Sequence, residues 1–328
     1  MKIREVGEFA LLDRLSRIIA LPGDEVIIGI GDDAALWKGS SFALATTDSL
    51  VAGVHFFMDD LSFREVGSKS ILVNVSDIAA MGGIPKYALI SLSLSPEMEF
   101  CEVEELGEGI SKVCSALGIS IVGGNLSSCP TLVVNVTLIG EAKDEKVLTR
   151  RGARVSDLVA VTGYLGLAGG YRRLKSEIHN LDLRIRSILR QAFACPKARI
   201  LEGRMLCESG VRAAIDVSDG LVQDLSHICE GSHLGAIIMI DRLPLHPEVC
   251  EFLTAEDALY GGEDYELLFT APPQLMPALE QRLPCPLTVV GRMVEDHPGE
   301  IILLDGKGNR LPHLRSGWDH FAHPNLKP

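Results

Sequence analysis

The sequence lacks most of the short signatures that announce a chemistry. No Gly-x-x-x-x-Gly-Lys-[Ser/Thr] loop occurs, which excludes a P-loop enzyme. No His-Arg-Asp or Asp-Phe-Gly occurs, which excludes a protein-kinase site, and no Gly-x-Ser-x-Gly marks a hydrolase nucleophile. There is no Lys/Arg run, and with a net charge of −13 the chain has no basic stripe to track nucleic-acid phosphates. No stretch of 18 apolar residues exists, so no membrane span is expected, and Met1-Lys2-Ile3-Arg4-Glu5 shows no apolar signal-peptide core. The eight cysteines are scattered without a Cys-x-x-Cys pair, several at apolar helix positions. They read as small buried hydrophobes in a reducing compartment, and the expected location is cytoplasmic.

What is present is an ordinary folded composition, 47% hydrophobic and 23% charged, over 328 residues, enough for two domains with a core each. Strand and helix patterns alternate throughout, which predicts an α/β (α+β) protein with mixed sheets packed against helices. Apolar periodicity predicts helices over 7–20, 63–81, 100–117, 182–192, 197–209 and 273–283, and another opening near Asp216. Strands are predicted over 26–30, 42–47, 87–95, 131–140, 157–163, 211–215, 236–240, 265–270, 287–291 and 300–304. A short strand at 119–122 is predicted to end in a Gly123-Gly124-Asn125 turn. The polar segment 141–152 is the predicted boundary between an N-terminal domain, 1–142, and a C-terminal domain, 143–328.

Six acids stand beside Gly, Ser, Thr or Asn at the ends of apolar segments or within them: Asp32, Asp33, Asp48, Asp77, Asp216 and Asp219. Asp32 and Asp33 follow Val26-Ile27-Ile28, and a site that keeps two adjacent carboxylates ionised usually holds a cation. Their stretch also fits the Gly-x-Gly-x-x-Ala of dinucleotide loops, but two anions at the pyrophosphate position would repel it, so that reading is rejected. Asn74 and Asp77 share one face of an apolar helix. A carboxylate there is costly unless it binds metal or a hydrogen-bonding neighbour. In Asp216-Val217-Ser218-Asp219-Gly220, either the acids meet a metal while hydroxyl and backbone N–H groups meet a phosphate, or Ser and Asp cap the following helix. Oxygen-only ligands of this kind suit Mg2+, and six acids can serve more than one ion. His313, His320 and His323 lie in a tail with no Cys or acidic triad nearby and do not read as a metal cluster.

Taken in order, Gly29-Ile30-Gly31-Asp32-Asp33-Ala34-Ala35, Thr46-Thr47-Asp48-Ser49-Leu50, Asn74-Val75-Ser76-Asp77-Ile78, Gly123-Gly124-Asn125, Leu148-Thr149-Arg150-Arg151-Gly152, Asp216-Val217-Ser218-Asp219-Gly220, Gly261-Gly262-Glu263-Asp264-Tyr265-Glu266 and Gly317-Trp318-Asp319-His320-Phe321 resemble the thiamine-monophosphate kinase family. The resemblance covers residues 5 to 322. The family's superfamily includes aminoimidazole ribonucleotide synthetase, selenophosphate synthetase and a hydrogenase-maturation factor. The resemblance implies the two-domain aminoimidazole ribonucleotide synthetase-like fold, a homodimer paired through its N-terminal domains, and ATP in a cleft between domains. It implies several Mg2+ ions ligated by Asp33, Thr46, Thr47, Asp48, Asp77, Asn125, Asp216 and Asp219, with Asp48, Asp77, Asp216 and Asp219 catalytic. Asn125 stands where Asp is commoner; its amide oxygen can coordinate but brings no charge. ATP contacts are implied at Gly124, Asn125, Arg150 and Ser218, and contacts to the thiamine substrate at His55, Glu263 and Trp318. Read from the residues alone, His55 beside Phe56-Phe57 is as well a partly buried histidine, and Trp318 a seal on the C-terminal core. An indole can also stack a cationic thiazolium, worth about 0.5–2 kcal/mol. Between Asp32 and Asp33 the residues alone do not choose.

The activity implied is ATP- and Mg2+-dependent phosphorylation of thiamine monophosphate to thiamine diphosphate, with no nucleic-acid or membrane partner. The acceptor is a phosphate oxygen already ionised at neutral pH, so alignment and charge neutralisation replace a general base. Three competing readings use the same acids or the same fold: an aminoimidazole ribonucleotide synthetase-like enzyme, a two-metal phosphohydrolase, and a non-catalytic nucleotide-binding protein.

Overall fold

In the computed structural model the described residues are Arg14, Arg17, Ile18, 26–28, 36–37, 42–143 and 145–312. The chain divides into two compact units, one from the chain up to Ile78 together with Gly83–Glu145, the other from Ala79–Gly82 and Lys146 onward. Of the helix predicted over 7–20, the described residues Arg14, Arg17 and Ile18 are helical.

In the first unit, β1 (Val26–Ile28) and β2 (Leu36–Trp37) pair antiparallel. Strands β3 (Ala43–Val51), β4 (Ile84–Leu94), β5 (Ser120–Ser128) and β6 (Val133–Glu141) form a second sheet in the order β3-β6-β4-β5. Its pairs are antiparallel except β4–β5, which is parallel. Alternation decides its faces. Val134, Val136 and Leu138 are fully buried while their neighbours are half-exposed, the mark of a sheet covered on one side. Helix α1 (Phe63–Ala80) reaches that covered side. It opens with a reciprocal cap, in which Glu65 N–H donates to Ser62 Oγ and Ser62 N–H to Glu65 Oε2. It ends at Gly82, whose φ of 74° would strain any other residue. Helix α2 (Phe100–Leu117) completes the unit.

The turn expected at Gly123-Gly124-Asn125 is instead the middle of β5. The glycines are there for closeness, because a Cβ on Gly124 would lie 1.9 Å from the Ile90 carbonyl oxygen of β4.

The second unit is built on a seven-stranded sheet of β7 (Leu158–Thr162), β8 (Ala213–Asp216), β9 (Gly235–Met239), β10 (Leu267–Ala271), β11 (Leu287–Val294), β12 (Ile301–Leu304) and β13 (Arg310–Leu311), ordered β13-β12-β9-β11-β7-β10-β8. Only β9–β12 is parallel. The central strands are buried on both faces, so they are apolar without alternation. Val161, Ile215 and Leu268 join one core with helix α6 (Leu221–Ser232). Ala160, Ala214 and Phe269 join another, with α5 (Ile200–Glu208) and α8 (Met276–Arg282). Helices α3 (Leu167–Leu174), α4 (Leu183–Ala194) and α7 (Ala255–Tyr260) complete it. The pairing of β13 was not predicted, its two residues being too few to show a period.

The cysteines depart from expectation. All eight are free, but only Cys114 and Cys229 are buried, while Cys101, Cys195 and Cys250 are exposed. Burial pushes the Cys114 and Cys229 thiols up to about 12, so neither is a nucleophile at neutral pH. Among the described residues no helix is long and apolar enough to cross a membrane.

Candidate active site

In the first unit the acids meet where β3 runs past α1. Asn74 and Asp77 reach from the same helix face to that strand. Asp77 Oδ2 accepts from Thr46 Oγ1 at 2.5 Å, and Asn74 Oδ1 accepts from the Asp48 N–H at 3.1 Å. The Asn74 amide then donates to the Ser70 carbonyl at 3.0 Å, which fixes which end of it faces Asp48. Thr46, Asp48 and Asp77 therefore form one oxygen-lined group. Beyond the strand, His55 Nδ1 accepts from the Val51 N–H at 2.9 Å, which leaves the ring proton of a neutral imidazole on Nε2.

Other residues of the same set are not brought there. Register pairs Asp48 with Val136, on the covered face, but Thr47 with Thr137 on the other face. The Thr47 hydroxyl donates to the Val136 carbonyl at 3.0 Å and accepts from Thr137 Oγ1 at 3.1 Å. Asn125 pairs with Ser91, which pairs with Asn135, so it too sits on that second face. Strands β3 and β5 are opposite edges of the sheet. Three interstrand spacings, about 14 Å, separate Asp48 from Gly124 and Asn125 within one chain. Asp32, Asp33 and Trp318 lie outside the described residues, as do His313, His320 and His323.

In the second unit β8 ends at the buried Asp216, and the chain turns through Ser218 and Asp219 into α6. Neither reading of this turn holds in full. Helix α6 has Gly220 at its N-cap, with no side-chain cap there. The N–H groups of the turn leading into it are not open to a phosphate either. Asp224, one turn into the helix, accepts from Ser218, Asp219 and Gly220 N–H at 3.0, 3.1 and 3.1 Å. The sequence carried a signal for this residue, an acid within the apolar stripe Leu221, Leu225, Ile228. Burial pushes the Asp224 carboxyl well above the usual range, and the charges of Asp216 and Asp219 push it further, against the pull of its N–H donors.

The same loop is held from the other side. Glu263 N–H donates to the Ser218 carbonyl at 2.7 Å and Tyr265 N–H to the Val217 carbonyl at 2.8 Å. Behind it lies a buried network. Arg199 Nε and Nη2 donate to the two oxygens of Glu266 at 2.6 and 2.7 Å, Arg199 Nη1 to Glu202 at 2.9 Å, and Thr162 Oγ1 to Glu266 at 2.7 Å. None of Asp264, Arg199, Glu202 or Glu266 stood out in the sequence as a site residue: Glu266 lies 67 positions from Arg199 and Asp264 98 from Gly166, and the Arg199–Glu202 pair, only three apart, belongs to no motif. Arg150 is exposed, and its carbonyl lies beside Gly231 at the far end of α6. About ten residues of helix, roughly 15 Å, separate that point from Asp219.

Among the described residues no group of three or more His, Cys, Asp or Glu side chains is arranged to hold a metal ion. The donor chemistry still fits a hard cation. Thr46, Asp48 and Asp77 offer oxygen alone, and Asp216, Asp219 and Asp224 crowd like charges that a divalent ion would relieve.

Fold and site define a class. Residues 31–142 match the family model "AIR synthase related protein, N-terminal domain", and residues 154–303 match "AIR synthase related protein, C-terminal domain". A thiamine-monophosphate kinase of Aquifex aeolicus is 36% identical over 332 residues, covering 98% of this chain and all of its own. The crystal structure of the Stenotrophomonas maltophilia thiamine-monophosphate kinase superposes with a TM-score of 0.81 at 34% identity, over 93% of this chain and 98% of its own. A structure described as AaThiL complexed with AMPPCP and TMP matches with a TM-score of 0.75 at 34% identity, over 98% of this chain and 99% of its own. The chain belongs to the thiamine-monophosphate kinase family.

Proposed function

We propose that this chain transfers the γ-phosphoryl group of ATP to the phosphate of thiamine monophosphate, releasing ADP and thiamine diphosphate. One observation carries the reading: a relative similar over 98% of the chain binds AMPPCP, a non-hydrolysable stand-in for ATP, together with TMP. An acceptor phosphate oxygen forms the new P–O bond while the bond from the γ-phosphorus to its bridging oxygen breaks. The acceptor is already anionic, so the protein's task is to align two polyanions and offset their charge.

We assign several Mg2+ ions to this task, with Thr46, Asp48 and Asp77 as ligands in the first unit together with Asp33, and Asp216 and Asp219 as ligands in the second; Thr47 and Asn125, on the opposite face of the first unit's sheet, are left out of that set. When bound, such ions would neutralise and orient phosphate oxygens. The remaining roles belong to the chain itself. Thr46 orients the Asp77 carboxylate, and Asn74 holds the Asp48 backbone, through the hydrogen bonds above. Asp224 holds the turn that carries Asp216, Ser218 and Asp219. Ser218, Gly124 and Asn125 are assigned to the nucleotide, and His55, Glu263 and Trp318 to the thiamine moiety. Arg150 is assigned to the nucleotide away from the transferring group, because it sits at the other end of α6 from Asp219.

We also propose a homodimer formed through the sheet of the first unit. The face opposite α1 carries Ala45, Thr47, Ser49, Leu89, Ser91, Asn135 and Thr137, and Leu89 is 36% exposed on a strand interior. A second copy is the occupant that would cover it. Sedimentation should give the dimer mass, and Leu89→Glu should lower it to the monomer's; a wild-type monomer at micromolar concentration rules the dimer out. The activity itself is tested by incubation with ATP, Mg2+ and thiamine monophosphate. Thiamine diphosphate is the expected product. Free phosphate without it supports a phosphohydrolase instead, and ATP binding without reaction supports a non-catalytic protein.

A further inference from the structure

Asp264 lies between two residues whose backbone donates to the metal-binding turn. Its own carboxylate goes elsewhere. Oδ2 accepts from the Gly166 N–H at 2.8 Å, and Oδ1 receives a long contact from the Ala168 N–H at 3.5 Å, both at the N-terminus of α3. On either side of it, Glu263 and Tyr265 have φ values of 58° and 51°, and Gly262 has 66°. Left-handed backbone is unfavourable for residues with a Cβ, and two such residues in three persist only when their surroundings impose them. The two flanking N–H groups supply one set of constraints, to Ser218 and Val217. The Asp264 carboxylate supplies the other.

We propose that Asp264 is a positioning residue: by anchoring the loop 261–266 to the N-terminus of α3, it holds that loop in its left-handed conformation, and with it Glu263 for the thiamine substrate and the turn bearing Asp216 and Asp219. The inference rests on the functional reading above for what Glu263 binds, and on geometry alone for the anchoring. No negative charge is required of the anchor. Part of the residue meets solvent, but its carboxyl is enclosed, and burial pushes it up to about 8 in spite of the Gly166 and Ala168 donors. A neutral acceptor of the same length serves equally.

The test uses the full chain and two readouts. Asp264→Ala removes the acceptor. Hydrogen exchange of the peptide covering 261–266, which includes the Glu263 and Tyr265 amides, should quicken by about tenfold or more. KM for thiamine monophosphate should rise about tenfold while KM for ATP changes by less than about twofold. Asp264→Asn, which keeps an acceptor oxygen, should restore both. If Asp264→Ala does not fold, Asp264→Ser, whose hydroxyl is too short to reach α3, is read in the same way. Wild-type exchange over 261–266 in a folded Ala or Ser variant overturns the proposal. So does an unchanged KM for thiamine monophosphate, or an Asn variant as impaired as Ala. A wild-type protein that makes no thiamine diphosphate refutes the functional reading alone, and the exchange measurement still decides the anchoring.

Discussion

Replacing Arg199 by Met should destabilise the second unit more than any surface change. The side chains of Arg199 and Glu266 are 8% and 9% exposed, and those of Arg199 and Glu202 are 8% each. Met preserves most of the apolar stem but removes three donated hydrogen bonds, leaving two enclosed carboxylates without their guanidinium partner. Removing one partner of a buried pair costs about 3–5 kcal/mol, because the survivor keeps its desolvation penalty. For a unit of this size each kcal/mol lowers Tm by about 2–4 °C, so a fall of roughly 6–20 °C is expected by calorimetry. The loss should shrink at acid pH. Burial already raises the Glu266 carboxyl, with the Arg199 hydrogen bond opposing it, and without Arg199 the acid neutralises by protonation. Arg199→Met with Glu266→Gln should recover part of the loss, since one buried charge is gone. A fall of less than about 3 °C for Arg199→Met would show that the pair contributes no more than an exposed one.

Other tests follow from single contacts. Asp77→Ala and Asp48→Ala should each abolish thiamine diphosphate formation with far-UV circular dichroism unchanged; near-normal turnover at limiting Mg2+ would remove that residue from the ligand set. Asp264 titrates near pH 8 in the folded protein against an ordinary 3.8. Its contribution to stability is thus full below about pH 4 and lost as pH rises through about 8. Asp264→Asn should flatten the decline of Tm between about pH 4 and 8, and an unchanged slope there would assign that decline to other groups.

How far the sequence reached can be judged residue by residue. The alternation of strands and helices, the apolar runs of β7, β8 and β10, the placing of Asp216 at a strand end and that of Asp77 on a helix face with Asn74 were legible, because each depends on spacing within a few residues, whereas Asp48, expected to end a strand over 42–47, lies inside β3, which pairs on to Val51. The family resemblance was legible for the same reason, its motifs being local strings. The glycines after Ile121 were read as a turn, and no local rule could have shown that Gly124 instead lets β5 lie against Ile90.

What only tertiary structure decided is which distant groups meet. Strand order sets Asp48 and Asn125 on opposite edges of one sheet, and order is a property of pairing between segments far apart in the chain. Arg199 finds Glu266, 67 positions away, and Asp264 finds Gly166, 98 positions away, because a buried charge or an unpaired N–H must be satisfied by whatever packing brings near it. Asp224 takes the N–H groups that the turn seemed to hold open for phosphate. Sequence determined the chemistry on offer, oxygen ligands in short motifs; the tertiary structure determined which of those ligands share a place and which residues hold them there.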